Sequence, residues 1–289
     1  MRQLANHGVK RADRIGVAAA LILAIALVGA PATMASVTKS TNWAGYAIHR
    51  SGVSFRSVSA AWTQPHATCV AGGRSFSAVW VGLGGYKPTS RALEQVGTEV
   101  DCDAHGKVLS SAWFELVPAP SRTFSLPVRP GDAMHAEVTV TGHRVVVELD
   151  NLTKHRSFRE TTDAGLIDIS SAEWIVEAPS ECINSISCQA LPLTDFGSVT
   201  FASAAAASST GRAGTITDGH WGRTKIKLTP GAQRLTVAQT TNDTAGTAAP
   251  SPLRSGGSVF EVTYATATIQ PAQSSVRRQS RLRAAYLRH

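Results

Sequence analysis

Short stretches of alternating apolar and polar residues run through most of the chain. They fall at 58–62, 76–83, 94–100, 112–117, 134–140, 145–149, 172–177, 198–202, 225–228, 234–238 and 259–265. A period of two puts the apolar residues of each stretch on one face of a strand, and the Val, Thr, Phe and Trp that fill them favour that conformation. Turn formers separate them, as in Arg129-Pro130-Gly131-Asp132, Thr141-Gly142-His143 and Thr229-Pro230-Gly231. No apolar stripe at helical spacing lasts three turns. Residues 202–207 are rich in Ala, a good helix former, but Ser208-Ser209-Thr210-Gly211 stops them. Residues 241–257 read as one long loop, and the strand-like run beyond them argues that the same domain continues. Many strands at hairpin spacing without a βαβ rhythm predict an all-β, antiparallel sandwich or barrel, with one domain over residues 36–270.

Charge changes the picture only once it is located. The 289 residues hold 28 Lys and Arg against 20 Asp and Glu, a formal +8, which invites a nucleic-acid or anionic-surface reading. The first 14 residues carry Arg2, Lys10, Arg11 and Arg14 against Asp13. An uncharged apolar run follows to Val28, and then small residues through Ala32 and Ala35. These are the parts of a secretory signal peptide, expected over residues 1–35 with cleavage after Ala35. The apolar run is short of the ~20 residues of a spanning helix. At the other end, residues 271–289 hold five Arg and no acid and are expected to form a basic, disordered tail. The domain between them has 19 basic and 19 acidic residues. The basicity therefore belongs to the ends, and neither a nucleic acid nor, for the mature chain, a membrane is expected as partner.

Export makes the cysteines readable. Four cysteines in an oxidising compartment form two disulfides in one of three pairings. Cys182 and Cys188 bracket five residues and suit a local loop, which leaves Cys69 with Cys102. No CxxC pair is present, which argues against a zinc or redox site.

Familiar catalytic signatures are absent. The nine His form no HExxH, no GxSxG elbow occurs, and no Gly-rich phosphate loop precedes a helix. Asp163-Ala164-Gly165 is the nearest approach to the Asp-Thr/Ser-Gly of pepsin-like enzymes. An exported enzyme with this sequence would work with carboxylates, amides and aromatics, with neither metal nor cofactor.

Four segments offer those groups: Thr41-Asn42-Trp43-Ala44-Gly45-Tyr46; Trp80-Val81-Gly82-Leu83-Gly84-Gly85 leading to Leu93-Glu94-Gln95-Val96-Gly97; Ala112-Trp113-Phe114-Glu115; and Ala172-Glu173-Trp174-Ile175-Val176-Glu177. In this order the chain resembles the glutamic peptidases (eqolisins) over about residues 40–202, and more loosely to about 268. The resemblance implies a secreted, acid-active endopeptidase on a lectin-like (concanavalin-like) β-sandwich of two curved sheets. It implies a catalytic pair of Gln95 and Glu173, with Glu115 supporting and Trp43 and Trp113 lining the substrate groove. Core packing accounts equally well for either Trp. Glu99, Glu177 and Asp195 read as structural. Polypeptides would be the partners, and a monomer is expected. One departure stands out: better-known fungal members read Ile-Asp-Gly where this chain reads Leu83-Gly84-Gly85.

The residue types agree with that carry-over. Glu173, Ile175 and Glu177 share one strand face, and Gln95 shares its face with Leu93, Gly97 and Glu99. A carboxylate can deprotonate a water, and an amide NH2 can stabilise an oxyanion. Two rivals use the same groups: a carbohydrate-binding lectin-like module, and a glycoside hydrolase pairing Glu173 with Glu115.

Overall fold

The computed structural model describes residues 36–184, 187–229 and 246–266. The expected signal segment, the basic tail and the run at 234–238 lie outside the described residues. Eighteen strands occur among those described: β1 Ser36–Ser40, β2 Trp43–His49, β3 Phe55–Thr63, β4 Ala78–Gly84, β5 Leu93–Cys102, β6 Val108–Val117, β7 Arg122–Phe124, β8 Ala133–Thr141, β9 Arg144–Asn151, β10 Arg156–Asp163, β11 Ser171–Glu177, β12 Ser180–Asn184, β13 Ser187–Ala190, β14 Ser198–Ser208, β15 Ala213–Gly214, β16 Gly222–Leu228, β17 Gly246–Pro250 and β18 Phe260–Thr266. The fold is all-β, as the alternation predicts.

Hydrogen bonding links the strands in the order β10-β9-β8-β3-β14-β18-β17-β16-β2-β11-β4-β5-β6-β7. Strand pairs are antiparallel apart from β1, which runs parallel to β16. The long path folds back on itself: β3 touches β4 and β11, β8 touches β4 and β5, and β9 touches β5. The result is a two-layer sandwich. β10-β9-β8-β3-β14-β18 form the back layer and β16-β2-β11-β4-β5-β6-β7 the front.

The layers differ in what they bury. In β8 every second residue is buried, Met134, Ala136, Val138 and Val140, as expected for a strand with one face on the core. In the front layer β4 and β11 are buried on both faces along their whole length. Their inner faces give the main core Val79, Val81, Leu83, Ala172, Trp174 and Val176. Their outer faces join a second cluster of Trp43, Ala47, Trp80, Leu93, Trp113 and Ile175. A sheet with a second apolar floor on its outer face has something built on that floor.

One expectation is corrected. Residues 241–257 are not one loop, because Gly246–Pro250 pairs with β18 on one side and β16 on the other. Gly, Ala and Pro carry little strand preference, so this strand forms because its neighbours supply the ladder. The Ala-rich run 202–207 is strand within β14, paired with β3 and, at Ala206 and Ala207, with β15. Here sheet pairing overrides local preference. Cys69 and Cys102 form a disulfide. The backbone of β12 and β13 sets Cys182 opposite Cys188, and their side chains lie outside what the structure describes.

Trp174 ties the layers together. Its side chain is fully buried, and its indole N–H donates to the Ser59 carbonyl of β3 at 2.9 Å. Trp174→Ala removes a large wedge between the layers together with its hydrogen bond to the Ser59 carbonyl. It should cost about 3–5 kcal/mol of unfolding free energy, read from urea or thermal denaturation.

Candidate functional site

Register decides which side chains meet on the outer face of the front layer. Thr224 on β16 pairs with Ala47 on β2, Ala47 with Glu173 on β11, Glu173 with Gly82 on β4, Gly82 with Gln95 on β5, and Gln95 with Glu115 on β6. These six residues form one row across six strands. The structure thus brings Gln95, Glu173 and Glu115 together on one face, although 78 and 58 residues of sequence separate Glu173 from the other two.

Gly82 stands between Glu173 and Gln95. Two interstrand steps separate their backbones by about 10 Å, and the residue between them has no side chain to fill the gap. A Cβ at Gly82 would lie 3.0 Å from the Trp80 ring and 3.1 Å from both Gln95 Cβ and the Glu94 carbonyl. The glycine of the Trp-Val-Gly segment therefore opens the space in which carboxyl and amide face each other.

The row is buried and only partly satisfied. Gln95 is 4% exposed, and its Nε2 donates to Glu115 Oε2 at 2.6 Å. A carboxylate is acceptor-only, so this contact fixes which end of the amide is nitrogen and leaves its second N–H for another acceptor. Gln95 Oε1 and both carboxylate oxygens of Glu173 are buried without a hydrogen-bond partner. Orphaned buried acceptors are rare and costly, and here three of them share one row. Burial pushes the Glu173 carboxyl well above the usual carboxylate range. The Ser171 hydroxyl opposes the shift without a well-formed hydrogen bond, and the negative charges of Asp168 and Glu94 add to it.

Below the row lies the aromatic floor. Trp43 and Trp80 meet edge to face at 5.1 Å between centroids. Trp43 is fully buried and Trp113 is 5% exposed, so both pack in the floor, and their indole N–H groups have no partner. Glu177 anchors this floor: the Asn42 amide donates to Oε1 at 2.7 Å and the Trp80 indole to Oε2 at 2.9 Å. The Asn-Trp of the first segment and the final Glu of the fourth thus hold each other. Glu99 accepts from Ser111 at 2.5 Å, and Asp195 accepts from the Gly197 N–H. Both serve local structure.

Sequence reasoning missed several neighbours. His49 pairs with Ser171 at the next position along the face, stacks on Tyr86 at 4.4 Å and shares Thr224 Oγ1 with the Tyr86 hydroxyl. Glu94 points from β5 to the core side. It is fully buried with neither oxygen partnered, and burial pushes its carboxyl up to about 8. Asp168, in the segment before β11, lies against Gly84. No local pattern marks these residues, because their neighbours are set by the fold. A cleft of about 490 Å³ lined by Leu116, Val117, Pro118 and Leu166 opens between the end of β6 and the segment after β10. Among the described residues no group of His, Cys, Asp and Glu side chains is placed to hold a metal ion.

Comparison with known proteins bears on the family and the fold. Residues 41–248 match the peptidase A4 family. Aspergillopepsin-2 from Aspergillus niger is 28% identical over 192 residues, which cover 58% of this chain and 65% of that protein. The chain thus spans just under two-thirds of that relative's length. Scytalido-glutamic peptidase, crystallised with a peptide-based transition-state analogue, superposes with a TM-score of 0.59 at 22% identity over 78% of this chain and 98% of the other. Aspergilloglutamic peptidase from Aspergillus niger gives 0.51 at 24% identity over 66% and 99%. At these identities the superpositions establish a shared fold.

The buried acids make stability depend on pH. Glu94, pushed up to about 8, and Asp101, pushed up to about 7 by burial and the nearby Glu99 charge, bind protons in the folded chain that the unfolded chain releases. Their stabilisation is complete in acid, below the unfolded carboxylate values, and is lost as pH rises through the folded ones. Asp132, Asp168 and Asp218 are held low and act oppositely, losing their contribution only in stronger acid. Thermal melts should show Tm falling from about pH 5 to about pH 8. Glu94→Gln, which carries no proton to lose, should flatten the fall.

Proposed function

This chain belongs to the peptidase A4 family, and on that footing we propose that it is an exported, acid-active endopeptidase with Glu173 as general base and Gln95 as oxyanion donor. The row Glu173–Gly82–Gln95 carries this reading: a carboxyl and an amide face each other across a glycine, with unpartnered oxygens between them. Among the described residues no helix is long and apolar enough to cross a membrane. Export rests on the amino-terminal sequence.

The chemistry needs only these groups. The ionised Glu173 takes a proton from a water whose oxygen attacks the peptide carbonyl carbon. The carbonyl oxygen becomes an oxyanion, and the free N–H of Gln95 donates to it, while the other N–H stays on Glu115 and keeps the amide oriented. The C–N bond then breaks as Glu173 passes its proton to the leaving nitrogen, which regenerates the carboxylate. Polypeptides are the substrates, and the Trp43–Trp80–Trp113 floor supports the bound chain. Because burial raises the Glu173 carboxyl, its ionisation sets the acidic limit of the working range. Gln95 stands between Glu173 and Glu115 and engages the latter. That arrangement suits a positioning role for Glu115 better than the paired carboxylates of a glycoside hydrolase.

The test is cleavage of a denatured protein between about pH 2 and pH 7. Activity that resists pepstatin and chelators, disappears in Glu173→Gln and falls by about 10²–10³ in Gln95→Ala supports the assignment. Full activity in Glu173→Gln contradicts it, and loss on chelation reassigns the chemistry to a metal.

A further inference from the structure

The departure at Gly84 has a structural counterpart. Gly84 closes β4 on the same face as Gly82, with φ of +82°. A Cβ there would fall 2.2 Å from the Asp168 carbonyl oxygen and 2.7 Å from Asp168 Cβ. The position admits no side chain, both because of its backbone conformation and because Asp168 fills the space. A side chain at this position of β4 and the segment carrying Asp168 exclude one another, and this chain has its acid at 168.

Asp168 is held firmly. Its Oδ2 accepts from the Ser90 hydroxyl and from the Gly85 N–H at 3.3 Å, and its Oδ1 accepts from the Ser170 N–H at 2.9 Å. Burial pulls its carboxyl up, but these donors win and keep it below the ordinary range. The other groups around Glu173 are differently disposed. Glu94 on β5, pushed up to about 8, is uncharged in acid. Glu115 on β6 is engaged by Gln95, and Glu177 on β11 by Asn42 and Trp80. His49 on β2 is held below its ordinary value by burial and by Lys87. Of the carboxyls around Glu173, Asp168 has the combination of several donors and a lowered proton affinity that keeps it charged as the medium turns acid.

We propose that Asp168 is a positioning residue for Glu173: seated over Gly84 and held by Ser90, Gly85 and Ser170, its carboxylate supplies the negative charge that sets the protonation of the catalytic base. The proposal rests on the reading of Glu173 as that base. A fixed negative charge makes a neighbouring carboxyl harder to ionise, so Asp168 shifts the onset of activity to higher pH.

The experiment is the pH profile of kcat/KM for wild type, Asp168→Asn and Ser90→Ala, with folding checked by thermal melting. In Asp168→Asn the acidic limb should move down by about half a unit to one unit. Ser90→Ala keeps the carboxyl but removes a donor that holds it ionised, and should move the limb the same way by less. A purely structural role would lower the plateau without displacing the limb. An unchanged or upward-shifted limb in a folded variant overturns the proposal, and Ser90→Ala decides alone where Asp168→Asn does not fold. Carboxyl 13C NMR titration of Glu173, assigned by its loss in Glu173→Gln, reads the same shift without turnover. A wild type that titrates as expected yet cleaves nothing would sink the peptidase reading and leave the electrostatic coupling standing.

Discussion

The constraint on which the site depends is backbone register. Six neighbouring strands pair so that Thr224, Ala47, Glu173, Gly82, Gln95 and Glu115 fall in line. Side chains on a sheet have a period of two, so a slip of one residue in any of these pairs would send its functional group to the opposite face. Both faces of β4 and β11 are buried, so such a slip would also exchange the residues packed in the main core with those in the aromatic floor. The packing that stabilises the sandwich is therefore the same packing that aligns carboxyl, gap and amide. Trp174 and Glu173 show this at adjacent positions, one locking the layers from inside and the other lying in the row outside.

Burial gives the row its electrostatic character. Glu94 and Glu173 are both fully buried on neighbouring parts of the front layer, without hydrogen-bond partners and with raised proton affinity. Glu177, in the same sheet, is satisfied by two donors, and Asp168 by three. Environments that separate the proton affinities of otherwise similar carboxyls are how a site assigns different tasks to them. Glu177 holds the floor, Glu115 orients the amide, and Glu173 keeps its oxygens unpaired. Keeping Glu94 neutral favours the folded chain in acid, whereas Glu173 must give up its proton for the proposed chemistry to begin.

The back layer was the most legible part in sequence. Met134 to Val140 and Val145 to Leu149 alternate because one face meets the core and the other meets solvent. In the front layer the stretches at 76–83, 94–100, 112–117, 172–177 and 225–228 fall on β4, β5, β6, β11 and β16, and β2 is a strand without one. β2, whose seven residues are buried or nearly so, carries polar chemistry at its start but no alternation that marks a strand. β10, largely exposed at the edge, has the polar sequence Arg-Ser-Phe-Arg-Glu-Thr-Thr-Asp and gave no apolar signal. β17 has almost no preference of its own and exists through pairing. At the site, Gln95, Glu173 and Glu115 came from the order of motifs, and periodicity alone gave only their faces. Asp168, Glu94 and His49 were not legible, because proximity to Gly84, to the core and to Tyr86 arises only when distant segments meet.

The central claim is that Glu173 and Gln95 act as one unit across Gly82. A kinetic double-mutant cycle on Glu173→Ala, Gln95→Ala and the double variant tests it most directly, with kcat/KM measured on a single peptide substrate. Residues that act on the same transition state are strongly non-additive, so the double variant should be little worse than Glu173→Ala alone. Losses that multiply, with each single variant retaining activity the other removes, would show two independent contributions and contradict the account.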